Sequence, residues 1–282
     1  MGLGVSNLLW PPADDDRVGD ALIADGIDRI DIAPSRYFEP VGAVDPVAAE
    51  AVRRRWADRG IAIVGLQALL HGTAHGAIVP ALFGDDGSRA ALVARLAERI
   101  DLAARLGARV LVLGAWPHRI RGALPTDEAI ERAAATLAPL ARQAADAGTC
   151  LAVEPIDSSY GNDFLVDHDQ AATLVRRIDE PGFGLVLDVG CAGLVGEDLR
   201  AVLTRHGTLV RHIQLAEPAL APLDDEHGWH RYAGPIVSRF LDSLGQCGAP
   251  VPGVCIEALT PVGGDAVIAI RQSIAVARRW YS

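Results

Sequence analysis

The chain has 282 residues, 50% of them hydrophobic, which is enough to bury a sizeable core in one large domain or two ordinary ones. Its formal net charge of -10 argues against a nucleic-acid-binding surface, because phosphate contacts require clustered basic side chains. The N-terminal segment has no basic region, and its apolar run is too short for a signal peptide or a membrane span. We therefore expect a cytoplasmic protein that acts on a small molecule and contacts neither nucleic acid nor membrane.

The cysteine pattern fits the same setting. Cys150, Cys191, Cys247 and Cys255 form no CxxC pair. Cys150 and Cys255 fall within predicted buried strands, where a cysteine behaves as a small hydrophobic residue. A reducing compartment is consistent with this usage, since nothing in the spacing indicates a disulfide framework.

Short aliphatic runs alternate with longer amphipathic segments along the chain, which is the pattern of repeated βα units around a parallel sheet. The runs predict eight strands, at 3–9, 27–32, 61–66, 109–114, 150–154, 183–188, 209–215 and 253–258. Apolar residues at three- and four-residue spacing predict helices between them, among which are 45–60, 88–107 and 126–148. Gly60, Gly107 and Gly148 stand where these helices should end, because glycine accepts the left-handed conformation of a helix cap.

Eight such units in a chain of this length predict a single (β/α)8 TIM barrel over residues 1–282, since that fold usually takes about 250 residues. The alternative is a doubly wound open sheet, and the lack of a GxGxxG motif after the first strand argues against it. The longest predicted loops follow the third strand, at 67–87, and the seventh strand, at 217–234. Long loops on the catalytic face of a barrel commonly build substrate contacts.

Polar residues end four successive predicted strands. They are Glu154, Asp188, Gln214 and Glu257. In a parallel sheet the residues that end the strands point toward one mouth, so these side chains should converge. Three carboxylates and an amide oxygen are hard donors, which suit Mn²⁺ or Mg²⁺. The alternative is that each residue merely caps its own strand.

Two of these residues suggest a reaction. With a divalent ion to stabilise the developing enediolate of a hydroxy-carbonyl substrate, Glu154 or Glu257 could take the proton next to the carbonyl and return it. Return to the neighbouring carbon isomerises the substrate, and return to the opposite face of the same carbon epimerises it. The alternative makes both glutamates plain metal ligands without a role in proton transfer.

The strand-end motifs VEP, VLDVG, HIQLAE and CIEAL resemble those of the xylose-isomerase-like barrels of sugar isomerases and epimerases. The resemblance runs along most of the chain and is strongest from 150 to 259. It implies a divalent metal held by Glu154, Asp188, Gln214 and Glu257, and a small sugar or hydroxy-carbonyl substrate. The HIQ form is more similar to the hydroxypyruvate isomerase branch than to the ketose 3-epimerases, which carry a second histidine there. Such barrels commonly pair, so the resemblance leaves room for a homo-oligomer.

The chain departs from this family pattern after the sixth strand. Members commonly read LDxxH there, and the histidine contacts substrate, whereas Cys191 takes its place here. A thiol replaces an imidazole donor poorly, which implies a different specificity or a loss of activity. Cys191, His71 after the third strand and Arg231 after the seventh are the predicted substrate-binding residues. The alternatives are inert packing for Cys191 and a structural hydrogen bond for His71.

The segment TPVGGDA at 260–266 bears on whether the substrate carries a phosphate. Glycine-rich loops after the last two strands of a barrel often bind phosphate. Asp265, however, stands at the start of the last predicted helix, where it would repel a phosphate and is typical of an N-cap. We therefore expect an unphosphorylated substrate.

Four functions compete at this stage. The leading one is a divalent-metal-dependent isomerase or epimerase, and the second is a metal-dependent sugar or inosose-type dehydratase that uses the same enolisation. A nuclease similar to endonuclease IV would need a histidine-rich zinc site, yet Gln214 and Cys191 stand where histidines would help most. The fourth is a catalytically inactive binding barrel, which the replacement at Cys191 allows.

Overall fold

The computed structural model describes residues 2–38, 44–71, 78–226 and 228–281. Eight parallel strands pair in chain order, and the first pairs with the last, so the sheet closes into a barrel. The strands are β1 Leu3–Ser6, β2 Arg29–Ile32, β3 Ala62–Leu66, β4 Val110–Leu113, β5 Cys150–Val153, β6 Phe183–Asp188, β7 Val210–Ala216 and β8 Gly253–Glu257. The predicted (β/α)8 barrel is confirmed, and the open-sheet alternative is wrong.

Helices cover the outside of the barrel. Those in the described ranges are α1 Asp15–Ala24, α2 Pro46–Ala57, α3 Asp86–Leu106, α4 Thr126–Asp146, α5 His168–Ile178, α6 Val189–Val195, α7 Leu199–His206, α8 Trp229–Gln246 and α9 Ala266–Trp280. Two of them, α6 and α7, follow β6. None of these helices combines the length and the apolar character that crossing a membrane requires.

Local hydrogen bonds decide where the elements end. The first strand was predicted to reach residue 9 but stops at Ser6, because the Ser6 hydroxyl accepts a hydrogen bond from Leu8 N at 3.1 Å and turns the chain. Gly107 caps α3 with a φ of 81°, and Gly60 and Gly148 also have positive φ just beyond α2 and α4. The predicted helix ends are therefore confirmed to within a few residues.

The loop after β7 is shorter than predicted. Residues 217–234 were expected to form it, but α8 already begins at Trp229, after Gly228 in the left-handed conformation. The reason is that His230 and Ala233 bury one face of this segment against the barrel, which favours a helix. His227, and residues 72–77 of the predicted loop after β3, lie outside the described residues.

The core has two layers. Most buried apolar side chains lie between the strands and the helices, and a smaller cluster of Val110, Val112, Ala152 and Val186 fills the barrel interior. Two buried polar side chains share that interior, since His212 Nε2 lies 2.7 Å from Asp31 Oδ2. The interior is filled by side chains, so the fold offers a ligand the mouth of the barrel.

Candidate metal centre

Three carboxylates converge at the carboxyl end of the barrel. Glu154 follows β5, Asp188 ends β6 and Glu257 ends β8. One carboxylate oxygen from each lies within 4.8 Å of the other two, and all three residues are buried. The side chains that the strand ends were predicted to bring together are adjacent in space, although 34 residues separate the first two along the chain.

Burial, and to a lesser degree mutual repulsion, makes this cluster a poor place for three bare charges. Burial, and then the charges of Glu257 and Asp188, raise the pKa of Glu154 well above its usual range. The pKa of Glu257 is raised to about 8 by burial and then by Asp188 and Asp31. Burial also raises the pKa of Asp188. A divalent cation would offset the repulsion and favour the ionised forms.

Gln214 adds the fourth predicted donor. It pairs in register with Asp188 on the neighbouring strand and is completely buried. Neither its amide oxygen nor its amide nitrogen has a hydrogen-bond partner among the described residues. An unsatisfied buried amide costs about 1–3 kcal/mol, which coordination through the oxygen would relieve. Three carboxylates and an amide that lacks a partner thus fit a hard divalent cation such as Mn²⁺ or Mg²⁺.

Neighbouring groups hold two of the carboxylates in place. Gln67, just after β3, donates a hydrogen bond from Nε2 to Glu257 Oε1 at 2.9 Å. The backbone N–H of Cys191 donates to Asp188 Oδ1, also at 2.9 Å, so that Asp188 caps the start of α6. Each bond fixes one oxygen of its carboxylate and so orients the group within the cluster.

Glu154 is positioned through its surroundings. A Cβ at Gly114, just after β4, would collide with Glu154 Oε2, so glycine at this position makes room for the carboxylate. Arg119 is buried beside it but donates to two backbone carbonyls, those of Glu154 at 2.9 Å and Leu113 at 3.3 Å. The guanidinium therefore anchors the backbone of Glu154 and adds a positive charge near the cluster without occupying the carboxylate oxygens.

A cavity of about 980 Å³ opens above the carboxylates. Its walls come from loops after several strands, with Arg36, His71, Tyr160 and Glu217 among the residues that border it. Positive φ at residues other than glycine is uncommon, and three residues of this cavity wall have it: Ala68, Ala219 and Leu220. Such strain tends to be retained at functional sites, which marks this mouth as the candidate active site.

The structure brings two of the three predicted substrate-binding residues to this cavity. His71 is exposed and borders it, and Cys191 borders it while its side chain is buried. Burial and the charges of Asp188 and Glu154 raise the pKa of the Cys191 thiol, which favours inert packing over a reactive thiolate. Arg231 is not brought there, because it lies exposed in the first turn of α8 and away from the cavity wall.

Sequence reasoning missed several residues of this site. The collision that Gly114 avoids and the carbonyl contacts of Arg119 arise only in three dimensions, so the sequence carried no signal for them. Glu217 was detectable, since it follows the HIQLA run of β7 by one residue. It is buried, and its Oε1 lies 2.9 Å from His230 Nε2.

The family assignment agrees with this geometry. A family model described as xylose isomerase-like TIM barrel matches residues 21–242, which is most of the chain. The chain belongs to the xylose isomerase-like TIM barrel family. No curated protein matches it.

Several solved structures superimpose on most or all of the barrel. D-psicose 3-epimerase from Clostridium cellulolyticum H10 matches with a TM-score of 0.77 and 15% identity, covering 100% of both chains. 3-Keto-D-glucoside 4-epimerase from E. coli matches with a TM-score of 0.71 and 15% identity, covering 99% of both chains. A family 2 AP endonuclease from Brucella melitensis matches with a TM-score of 0.67 and 17% identity, covering 92% of this chain and 93% of that one. At such identities the likeness shows a shared fold.

Proposed function

We propose that the protein is a divalent-metal-dependent isomerase or epimerase of a small unphosphorylated sugar or hydroxy-ketoacid. The observation that carries the proposal is the group of Glu154, Asp188 and Glu257, buried with oxygens within 4.8 Å of one another. This group lies at the base of a cavity of about 980 Å³, which has room for a monosaccharide. Solved structures of similar fold include D-psicose and L-ribulose 3-epimerases, which supports the same class of reaction.

Glu154, Asp188, Gln214 and Glu257 are the residues that would hold the metal. When bound, a Mn²⁺ or Mg²⁺ ion would supply Lewis-acid polarisation of the substrate carbonyl. The cavity walls orient the substrate against the buried cluster.

Glu154 and Glu257 carry the proton in this proposal. Glu154 follows β5 and Glu257 ends β8, and these two strands flank β6 and β7. In the proposed reaction the substrate presents one face to each carboxylate. One glutamate takes the proton from the carbon next to the carbonyl, and the other delivers a proton to the opposite face, which epimerises that carbon. Transfer by one glutamate to the neighbouring carbon isomerises the substrate. Gln67 keeps Glu257 oriented during the transfer through its hydrogen bond to Oε1.

The test combines metal analysis with hydrogen exchange. Elemental analysis of protein purified without chelator should give near-stoichiometric Mn or Mg. Ketoses incubated in D₂O should then gain deuterium next to the carbonyl, and Glu154→Gln or Glu257→Gln should slow this exchange by about 100- to 10,000-fold. Glu226→Gln, at an exposed glutamate away from the cavity, is the matched control.

The outcomes separate the competing functions. Full exchange activity in both glutamine variants would contradict the proton-transfer role, and loss of water from the product would indicate a dehydratase. Absence of bound metal, even after reconstitution, would favour a binding barrel. The nuclease is disfavoured by the described residues themselves, whose one cluster of potential metal ligands consists of three carboxylates and contains no histidine.

A further inference from the structure

Glu217 is a fourth buried carboxylate that borders the cavity and stands apart from the metal cluster. Its Oε1 lies 2.9 Å from His230 Nε2, and Tyr281 Oη lies 2.7 Å from His230 Nδ1. All three residues are buried, and the rings of His230 and Tyr281 pack edge to face at 5.8 Å. A chain of contacts therefore connects the last described residue of the protein to the wall of the cavity.

The hydrogen bond between Tyr281 and His230 has a direction that follows from the burial of Tyr281. Burial and then the charge of Glu217 raise the pKa of the Tyr281 phenol well above its usual value, so the phenol keeps its proton. Tyr281 can then donate to His230 Nδ1. The opposite edge of the imidazole, at Nε2, lies 2.9 Å from Oε1 and so packs against one carboxylate oxygen of Glu217.

The backbone around Glu217 is fixed as well. The two positive-φ residues Ala219 and Leu220 follow it, and the Ala219 N–H donates to the Tyr160 hydroxyl at 2.9 Å. Leu220 accepts a hydrogen bond from Leu259 N at 2.7 Å. On the other side, Gly234 of α8 lets the backbone at Trp280 pack closely, because a Cβ there would collide with the Trp280 carbonyl. A strained turn therefore lies on one side of the Glu217 carboxylate, and Trp280 and Tyr281 are held on the other side.

We propose that Glu217 is a specificity-determining residue that accepts a hydrogen bond from a hydroxyl of a neutral polyhydroxy substrate, with His230 and Tyr281 as its positioning residues. The substrate class rests on the proposed function. A carboxylate accepts hydrogen bonds and repels anions, so it selects hydroxyl-bearing ligands. The charges of the cavity wall also favour a neutral substrate. Among the described residues that border the cavity, Arg36 is the one arginine, whereas Asp157 and the three carboxylates of the cluster also border it.

The test measures binding of D-tagatose, D-fructose and D-psicose, and of their monodeoxy analogues, to the Mn²⁺-loaded protein by calorimetry, together with KM and kcat. Glu217→Gln should weaken binding of the ketoses by about 10- to 100-fold, and should have no effect on the one deoxy analogue that lacks the partner hydroxyl. Tyr281→Phe keeps the ring and removes only the phenol hydroxyl, so it should give a smaller loss of about 3- to 10-fold with the same analogue insensitive. Mn²⁺ affinity should not change in either variant.

The control is Asp157→Asn, which removes an equal charge from the same cavity wall at a residue whose carboxylate caps its own turn through Ser159 N. It should not distinguish among the deoxy analogues. Equal losses for every ketose and deoxy analogue in Glu217→Gln, or no loss at all, would overturn the proposal. So would a wild-type protein that binds none of the ketoses. A protein that binds ketoses without converting them would contradict the proposed reaction, while the affinity pattern would still decide the role of Glu217.

Discussion

The two halves of the barrel contribute different groups to its mouth. In the second half, β5, β6 and β8 bring Glu154, Asp188 and Glu257 to the cluster. In the first half, the residues that follow the strands position neighbouring groups or make room for them. Asn7 after β1 accepts a hydrogen bond from Ala33 N at 2.7 Å, Gln67 after β3 donates to Glu257, and Gly114 after β4 makes room for Glu154.

The two halves therefore differ in role: one supplies the oxygen atoms that would bind the metal, and the other positions the side chains that carry them. A substitution at Glu154, Asp188 or Glu257 removes a donor atom, whereas a substitution at Gln67 or Gly114 moves a donor that is still present. The two kinds of substitution should therefore lower the affinity for Mn²⁺ by different amounts. Loss of a ligand should exceed the 10- to 100-fold that is typical for groups that only orient ligands.

The largest effect is expected from Asp188→Asn. The substitution keeps the shape and the N-cap of α6, since an asparagine oxygen can still accept from Cys191 N, but it removes the ionised oxygen from the cluster. Mn²⁺ affinity, measured by electron paramagnetic resonance, should fall by more than about 100-fold. Asp198→Asn is the control, because Asp198 also caps a helix, α7, but is exposed. Equal affinities in the two variants would contradict the assignment of Asp188.

A pH change should act on the same cluster without a substitution. The pKa of Glu257 is raised to about 8, first by burial and then by Asp188 and Asp31, so below that pH a proton competes with the cation. Affinity for Mn²⁺ should rise by about 10- to 100-fold between pH 6 and pH 8, as followed by titration in each buffer. A flat profile would show that Glu257 is already ionised in the metal-free protein.

The same shift gives a second readout in the metal-free protein. A carboxyl in the unfolded chain has a pKa of about 4.3, so between that pH and about 8 the folded protein binds more protons than the unfolded chain. The raised pKa of Glu257 therefore contributes to the free energy of unfolding at acidic pH, and this contribution is lost as the pH rises through about 8. The melting temperature should fall from pH 6 to pH 8, and Glu257→Gln, which cannot ionise, should reduce this slope.

A smaller effect is expected from the first half of the barrel. Gly114→Ala places a Cβ against Glu154 Oε2, so the carboxylate must move and Mn²⁺ affinity should fall by about 10-fold. Gly245→Ala is the matched control: Gly245 lies in α8, and a Cβ there would meet no atom within 4 Å. That variant should keep full affinity and gain a few tenths of a kcal/mol in stability. Unchanged affinity in Gly114→Ala would show that Glu154 needs no such space.

The fold could be predicted because its signals are local. Aliphatic runs, amphipathic stretches and cap glycines such as Gly107 are each readable within a few residues, and parallel strands must turn their carboxyl ends to one side. The strand and helix ends were less accurate, since they depend on individual bonds such as that from Leu8 N to the Ser6 hydroxyl. The start of α8 was missed, since residues 217–234 were predicted as one loop and the helix begins at Trp229.

The site could be predicted only in part. Glu154, Asp188 and Glu257 were found because strand ends converge, and that rule needs no knowledge of the side-chain packing. The contacts that position them could not be found in this way. His230 and Tyr281 are 51 residues apart, and Gln67 and Glu257 are 190 apart, so no local pattern connects either pair. Arg231 was predicted at the cavity from the resemblance to the family, but it lies on α8 and outside the cavity wall.

The smallest effect is expected at Cys191, where the family pattern has a histidine. Its backbone N–H, which any residue would supply, makes the bond to Asp188, while its thiol is buried and its pKa is raised by burial, Asp188 and Glu154. Cys191→Ser should therefore change Mn²⁺ affinity by less than about twofold. In the folded protein iodoacetamide should modify the exposed Cys247 and spare Cys191, which mass spectrometry of the peptides would show. Modification of both at similar rates would mean that Cys191 ionises readily, and its place beside the carboxylates would then be that of a reactive thiol.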